Sequence, residues 1–136
     1  MINLDKNKEL VVMSAFNNGN SYGRNLMQHD LLKADLKASN YSFKEVKGRY
    51  KGVDEDSFIV HLEDLRDIND LKALAIFYKQ ESILYIADNS RNAYLHTFGK
   101  NDPLLLGKIT HVSKDVAMRS EAFTYDHQND NYFIIK

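Results

Sequence analysis

The order of hydrophobic and polar positions along the chain predicts alternating strands and helices. Residues 9–16 (ELVVMSAF) are mostly apolar and partly β-branched, which is typical of a short buried strand, and they end in the polar turn 17–20. From residue 21 to residue 38 apolar side chains recur at helical spacing, with Ser21 or Asn20 as the predicted N-cap. We expect the buried stripe of this helix to consist of Tyr22, Leu26, Met27, Leu31 and Ala34.

The middle of the chain predicts a hairpin followed by a second helix. Residues 41–50 alternate loosely, residues 57–62 (SFIVHL) are apolar, and the turn 51–56 joins them. A helical pattern covers residues 67–79. Four further segments have strand character, at 82–87, 93–98, 104–112 and 132–135. A polar turn at 88–92 joins the first two of them. The stretch 113–130 gives no clear prediction.

The predicted order is strand-helix-strand-strand-helix-strand, followed by a strand-rich tail. This order predicts one α+β domain over residues 1–136, a ferredoxin-like sandwich in which two helices cover one face of an antiparallel sheet and extra C-terminal strands follow. The other face of such a sheet stays open, so we expect a homo-oligomer in which the open faces turn inward. The apolar strand residues behind this expectation are Val11, Phe58, Val60, Leu84, Ile86, Leu105 and Ile109.

Composition narrows the class of protein. The 136 residues are 43% hydrophobic and 27% charged, which excludes wholesale disorder. The net charge of −1 provides no basic field, so we expect neither nucleic acid nor an anionic membrane as a partner. The absence of cysteine excludes disulfides, thiolate metal sites and cysteine nucleophiles, and it fits a cytoplasmic protein. Apolar runs are too short for a membrane span or a signal peptide.

The predicted hairpin contains the most suggestive cluster of side chains. In GRYKGVDEDSFIV (residues 48–60), two glycines flank Tyr50, and the carboxylates of Asp54, Glu55 and Asp56 follow at the mouth of the hairpin. Concentrated negative charge beside an aromatic ring suits a cationic ligand. The alternative is an ordinary solvated turn, and composition alone favours that alternative.

Other candidate chemistry is weaker. The turn from Ser14 to Gly19 joins a strand to a helix, and backbone N–H groups at such a turn can hold a carboxylate or phosphate, although an ordinary capped loop is the favoured interpretation. The five histidines lack metal-binding spacing, and the serines lack a nucleophile motif. We therefore expect no metal and no cofactor.

Four short motifs, taken in order and spacing, resemble a known family. They are VVMSAF (11–16), GRY with a carboxylate before SFIV (48–60), YKQ before SILYI (78–86) and GKITHV (107–112). From about residue 11 to residue 135 the chain resembles the small phage-encoded enzymes that degrade S-adenosylmethionine, formerly called hydrolases and better described as S-adenosylmethionine lyases. In that family a tyrosine and a glutamate of this hairpin lie at the active site, and they match Tyr50 and Glu55. Asp54 or Asp56 remains an alternative for the carboxylate. His111 departs from the family, which tends to place an acidic residue there.

The resemblance implies a PII-like α+β sandwich, a homotrimer with the ligand between subunits, and conversion of S-adenosylmethionine to methylthioadenosine and homoserine lactone. The substrate is S-adenosylmethionine or a nucleotide conjugate of it. Tyr50 and Glu55 are the implied catalytic residues. If the chain is phage-encoded, the implied location is the cytoplasm of the bacterial host. The implied substrate-binding residues are Ser14, Ala15, Phe16, Asn17, Gln80 and His111.

Three other interpretations stay open. The first is a non-catalytic, PII-like trimeric module that binds an adenine nucleotide or S-adenosylmethionine and needs no particular tyrosine–glutamate pair. The second is membership of a family of small bacterial domains without assigned function, which the hairpin pattern also resembles. The third is a phage protein that acts by contact with a host enzyme, which predicts a large exposed apolar patch.

Overall fold

A computed structural model describes residues 9–50, 52–64, 66–87 and 90–136, and in these ranges the strands form a closed antiparallel barrel around which the helices pack. Around the barrel the strands follow the order β1-β3-β2-β7-β8-β6-β5-β4. The strands are β1 Leu10–Met13, β2 Phe43–Tyr50, β3 Val53–His61, β4 Ser82–Ile86, β5 Asn92–Thr97, β6 Leu104–Val112, β7 Ala122–Asp126 and β8 Asn131–Ile135. The helices are α1 Tyr22–Ala38, α2 Arg66–Phe77 and α3 Lys114–Met118.

The predicted ferredoxin-like, PII-like sandwich is wrong, because the sheet closes on itself. The stretch 113–130, which lacked a clear prediction, contains α3 and β7. Strand β7 pairs with β2 on one side and with β8 on the other. At the opposite seam β1 pairs with β4, with Val11 opposite Tyr85. The inner face of a closed sheet lies inside the barrel, so the open sheet face that was expected to turn toward other subunits does not exist.

Strand alternation separates two apolar cores. Val11 and Met13 face outward and pack with Leu32 and Leu36 of α1 in a core that also includes α2. The intervening residues of β1 point into the barrel and fill its lower end, which we define as the end where β1 begins. The inner core consists of Leu10, Val12, Val46, Ile59, Ile86 and Ala93. A buried ion pair between Lys44 and Asp126 joins β2 to β7.

Helix α1 forms where the sequence predicts it, and Ser21 is its N-cap, but its predicted buried face is wrong. Tyr22 and Met27 are 66% and 61% exposed. The face turned to the barrel carries two polar residues, because each finds a partner there: Asn25 bonds the backbone of residue 17, and His29 bonds Glu45. The buried residues of α1 are Asn25, His29, Leu32 and Leu36.

The remaining elements agree with the predicted ones except at the hairpin. The structure confirms α2 and strands β1, β4, β5, β6 and β8. The predicted turn 51–56 is wrong, because Tyr50 pairs with Val53 and β3 starts there. Gly52 lies in the short connection between β2 and β3 and has φ +80°, a left-handed conformation that glycine adopts without strain. Residue 51, and residues 88 and 89 of the predicted 88–92 turn, lie outside the described ranges. None of the described helices is both long and apolar enough to cross a membrane.

Candidate active site

A cavity of about 860 Å³ occupies the upper end of the barrel, opposite the inner core. It lies where β1, β2 and β8 end and where β3, β4 and β7 begin. Its floor and walls are apolar, with Leu84, Leu95, Ile109 and Phe133 among the lining residues. Polar groups lie along one side, which β1, β2, β3 and β7 contribute. A concave, largely apolar site with a few converging polar groups is typical of small-molecule binding.

The β2–β3 hairpin sends one of its three successive carboxylates into this cavity. Successive side chains of a strand point to opposite faces, so Glu55 lies inside and its two neighbours lie outside. On the outer face Arg49 Nε lies 3.1 Å from Asp54 Oδ1, and Lys47 Nζ lies 3.0 Å from Asp56 Oδ2. Glu55 is therefore the carboxylate of the hairpin that can meet a ligand in the cavity.

Tyr50 lies on the same face of the hairpin as Glu55. Its ring packs over Gly48, and its hydroxyl lies 3.4 Å from Thr124 Oγ1 on β7. Burial raises the pKa of the Tyr50 hydroxyl, and the nearby charge of Glu55 raises it further. Tyr50 consequently stays a neutral phenol near pH 7, with a proton to donate and a ring face for a cation.

Glu55 is a partly buried acid of the cavity wall. None of the ion pairs among the described residues includes it. Burial raises the pKa of Glu55 above its usual value, and a hydrogen bond with Ser14 opposes that rise. An ionised carboxylate in such surroundings is weakly screened, so a cation that enters the cavity gains more from it than from a surface carboxylate.

The loop after β1 forms one wall of the cavity and is tied down by side-chain amides. Gln80 Nε2 donates to the Phe16 carbonyl oxygen over 2.8 Å. The Asn17 N–H donates to Asn25 Oδ1 over 2.9 Å, and the Phe16 N–H donates to Ser14 Oγ over 3.0 Å. Backbone N–H groups of this loop were candidates for anion binding, but these two donate hydrogen bonds to side chains of the protein.

The family model for S-adenosylmethionine lyases matches residues 11–136. The chain belongs to the S-adenosylmethionine lyase family. The match spans the cavity, the hairpin with Tyr50 and Glu55, and the loop after β1, so the enzyme is a lyase that degrades S-adenosylmethionine. A search of curated proteins finds no match to the chain.

Six of the eight site residues predicted for the lyase line the cavity, and two do not. The six are Ser14, Phe16, Asn17, Tyr50, Glu55 and Gln80. Ala15 is 1% exposed and belongs to the apolar core between the barrel and the helices α1 and α2. His111 is exposed on β6 with its ring 5.4 Å from that of Phe133, and it is not part of the cavity lining.

The sequence did not indicate several residues that line the lyase cavity. Ser57 and Thr124 place hydroxyl groups inside the barrel; Thr124 hydrogen-bonds Tyr50, and the interaction with Ser57 lowers the pKa of Tyr50. The alternation in AFTYD (122–126) could have indicated that Thr124 faces inward had a strand been assigned there. Glu81 and Glu121 lie at the rim, where no sequence pattern distinguishes them from surface residues. In the described part of the chain, no three His, Cys, Asp or Glu side chains are grouped to hold a metal ion.

Proposed function

We propose that the lyase converts S-adenosylmethionine to 5′-methylthioadenosine and L-homoserine lactone. The observation that carries the proposal is the pair of groups inside the cavity. Glu55 is an acid that forms no ion pair among the described residues, and the neutral phenol of Tyr50 lies beside it. The substrate is a sulfonium cation with an ammonium group, which is the charge that such a pair attracts.

The proposed reaction requires neither a protein nucleophile nor water. One oxygen of the substrate carboxylate attacks the γ-carbon of the same molecule, and the bond between the γ-carbon and sulfur breaks. The electron pair of that bond stays on sulfur, which becomes the neutral thioether of methylthioadenosine, and the methionine moiety becomes the lactone. Charges balance without a proton transfer. Holding the folded substrate in the reactive pose is then the main task of the protein, and such orientation can lower a barrier by about 7–11 kcal/mol at most.

Each group of the cavity has a proposed part in holding that pose. Glu55 attracts the sulfonium and ammonium charges, and the Tyr50 hydroxyl donates a hydrogen bond to the amino-acid end. We assign the wall built from Phe16, Asn17 and Gln80 to the adenosine moiety, since the hydrogen bonds within the protein fix its shape. Ala15 and His111 receive no substrate contact in this proposal, because neither lines the cavity.

A nucleotide conjugate of S-adenosylmethionine is a second candidate substrate. The cavity volume of about 860 Å³ lies near the upper end of the range for small-molecule sites, about 300–1,000 Å³. Comparing kcat/KM for the free and the conjugated substrate decides between them. A larger kcat/KM for the conjugate makes it the preferred substrate, and the reverse result favours free S-adenosylmethionine.

We also propose that the lyase is a homotrimer whose subunits meet at the cavity mouth. The apolar residues Val11, Phe58 and Val60, which first suggested the trimer, are fully buried in one chain and do not support it. Its support is the run of leucines at residues 104–106 of β6, which are 60%, 53% and 41% exposed, the last of them lining the cavity. Light scattering should give about three times the chain mass of 15.7 kDa; a stable monomer contradicts the trimer.

Mass spectrometry of the products tests the proposed function. Purified protein incubated with S-adenosylmethionine should release methylthioadenosine and homoserine lactone in equal amounts, and Glu55→Gln should release far less of both. Saturable binding of S-adenosylmethionine with no product would instead support the non-catalytic binding module and overturn the proposed reaction.

A further inference from the structure

The Ser14 side chain lies at the cavity wall with its polar contacts turned to the protein. It is 4% exposed. Its hydroxyl donates a hydrogen bond to the Asp56 carbonyl oxygen over 2.7 Å and accepts one from the Phe16 N–H over 3.0 Å. The Glu55 side chain lines the same cavity, and its interaction with Ser14 opposes the rise of its pKa. Ser14 thus joins the end of β1 to the backbone of β3, next to the residue that carries the charge of the cavity.

A hydroxyl group has one proton, and here two groups on β3 compete for it. When Glu55 is protonated, its own O–H can donate to Ser14 Oγ, and Ser14 can donate to the Asp56 carbonyl. When Glu55 is ionised it can only accept, so the Ser14 proton is the one available at this contact. The Phe16 N–H polarises the Ser14 hydroxyl and makes it a stronger donor.

We propose that Ser14 is a positioning residue for Glu55. When Glu55 ionises, the Ser14 hydroxyl turns its proton from the Asp56 carbonyl to the Glu55 carboxylate, and it so holds that carboxylate charged and fixed in the cavity. The inference rests on the proposed function for the role of Glu55, because the ionised form is the one that attracts the sulfonium. The change releases one proton from Glu55 to solvent and rotates one hydroxyl group, which exchanges one hydrogen bond of Ser14 for another without a change in its covalent bonds.

The other titratable groups of the cavity act on Glu55 less directly. Tyr50 on β2 faces it as a neutral phenol. Lys79 and Glu81, between α2 and β4, and Glu121, before β7, line the cavity with exposed side chains, where water and salt screen their charges. Ser14 is therefore the buried group of the cavity wall that favours the charged form of Glu55.

The pH profile of kcat/KM tests this role. In Ser14→Ala the acid limb of the profile should move up by about one pH unit, because the charged form of Glu55 loses a hydrogen-bond donor. Ser14→Cys, which fills the same space with a weaker donor, should move the limb in the same direction by less. Ser57→Ala is the matched control, because Ser57 is equally buried but contacts Tyr50; its acid limb should stay at the wild-type pH. An unmoved limb in both Ser14 variants overturns the inference.

A second measurement does not depend on lyase activity. The carboxyl-carbon NMR signal of Glu55, assigned by its loss in Glu55→Gln, can be titrated without substrate in the wild type and in the two Ser14 variants. The inference predicts a higher midpoint in the variants, and equal midpoints contradict it. If the wild type converts no S-adenosylmethionine but the midpoints differ, the proposed function fails while the role of Ser14 stands.

Discussion

Gly48 lies directly opposite Glu55 in the β2–β3 ladder, and the Tyr50 ring occupies the space that a side chain at Gly48 would need. A Cβ atom at this position would lie 2.8 Å from Tyr50 Cε2 and 2.9 Å from the Glu55 carbonyl oxygen. One glycine therefore allows the phenol and the carboxylate to share one face of the hairpin.

Gly48→Ala should displace the Tyr50 ring and lower kcat/KM by about ten- to a hundredfold, since small displacements of positioning groups have effects of this size. Overpacking should also reduce the free energy of unfolding by about 1–3 kcal/mol. Gly23→Ala is the control, because a Cβ there meets no atom within 4 Å and alanine suits a helix better than glycine. Wild-type kcat/KM in Gly48→Ala would show that the position of the ring does not matter.

The charge of Glu55, and not that of its neighbour Asp54, should control turnover. Glu55→Gln keeps the size of the side chain but removes the charge from the cavity, so we expect activity to fall by at least about a hundredfold. Asp54→Asn removes a charge that is exposed on the outer face and paired with Arg49, and turnover should change less than about twofold. Steady-state kinetics of the two variants decides, and the reverse ranking would refute the assignment of the carboxylate.

Glu55→Gln should stabilise the fold at neutral pH while it removes activity. Burial raises the pKa of Glu55 in the folded state, so ionisation costs more there than in the unfolded chain. This cost is fully present above the folded-state pKa, shrinks as the pH falls through it, and is absent below the unfolded value of about 4.3. Thermal unfolding should show a higher Tm for the variant at pH 7 than for the wild type, and equal values near pH 3. A lower Tm at pH 7 would mean that the folded state favours the charge.

Tyr50→Phe should slow the reaction without changing its products. Loss of the hydroxyl removes a hydrogen bond that holds the folded substrate, an orientation effect that can reach about a hundredfold. Thr124 then loses its partner inside the barrel, so a modest loss of stability is also expected. Product analysis by mass spectrometry checks this prediction, and new products would assign the hydroxyl a direct part in the chemistry.

Local elements of the fold follow from sequence pattern, but the closure of the barrel does not. The strands and the helices α1 and α2 arise from periodicity within about ten to twenty residues. Closure depends on the pairing of β1 with β4 and of β2 with β7, which joins segments more than 70 residues apart. No local pattern encodes such a pairing, and β7 itself lay in the stretch that gave no clear prediction.

The candidate site was predicted in outline from the hairpin and from the loop after β1. The sequence could not choose among the three carboxylates, because a predicted turn over residues 51–56 has no alternation; once Tyr50 pairs with Val53, strand geometry turns Glu55 inward. Likewise, no helical pattern could show that α1 buries His29, because its partner Glu45 lies on β2.

The origin of the oxygen on the γ-carbon of the first product tests the account most directly. In a short reaction in oxygen-18 water, quenched at once and analysed by mass spectrometry, attack by the substrate carboxylate predicts unlabelled homoserine lactone, formed with methylthioadenosine before any homoserine. Later opening of the lactone by water would place label in the carboxyl group only. Homoserine labelled at its γ-hydroxyl from the first turnover, with no lactone at the earliest times, would contradict the account and make the enzyme a hydrolase.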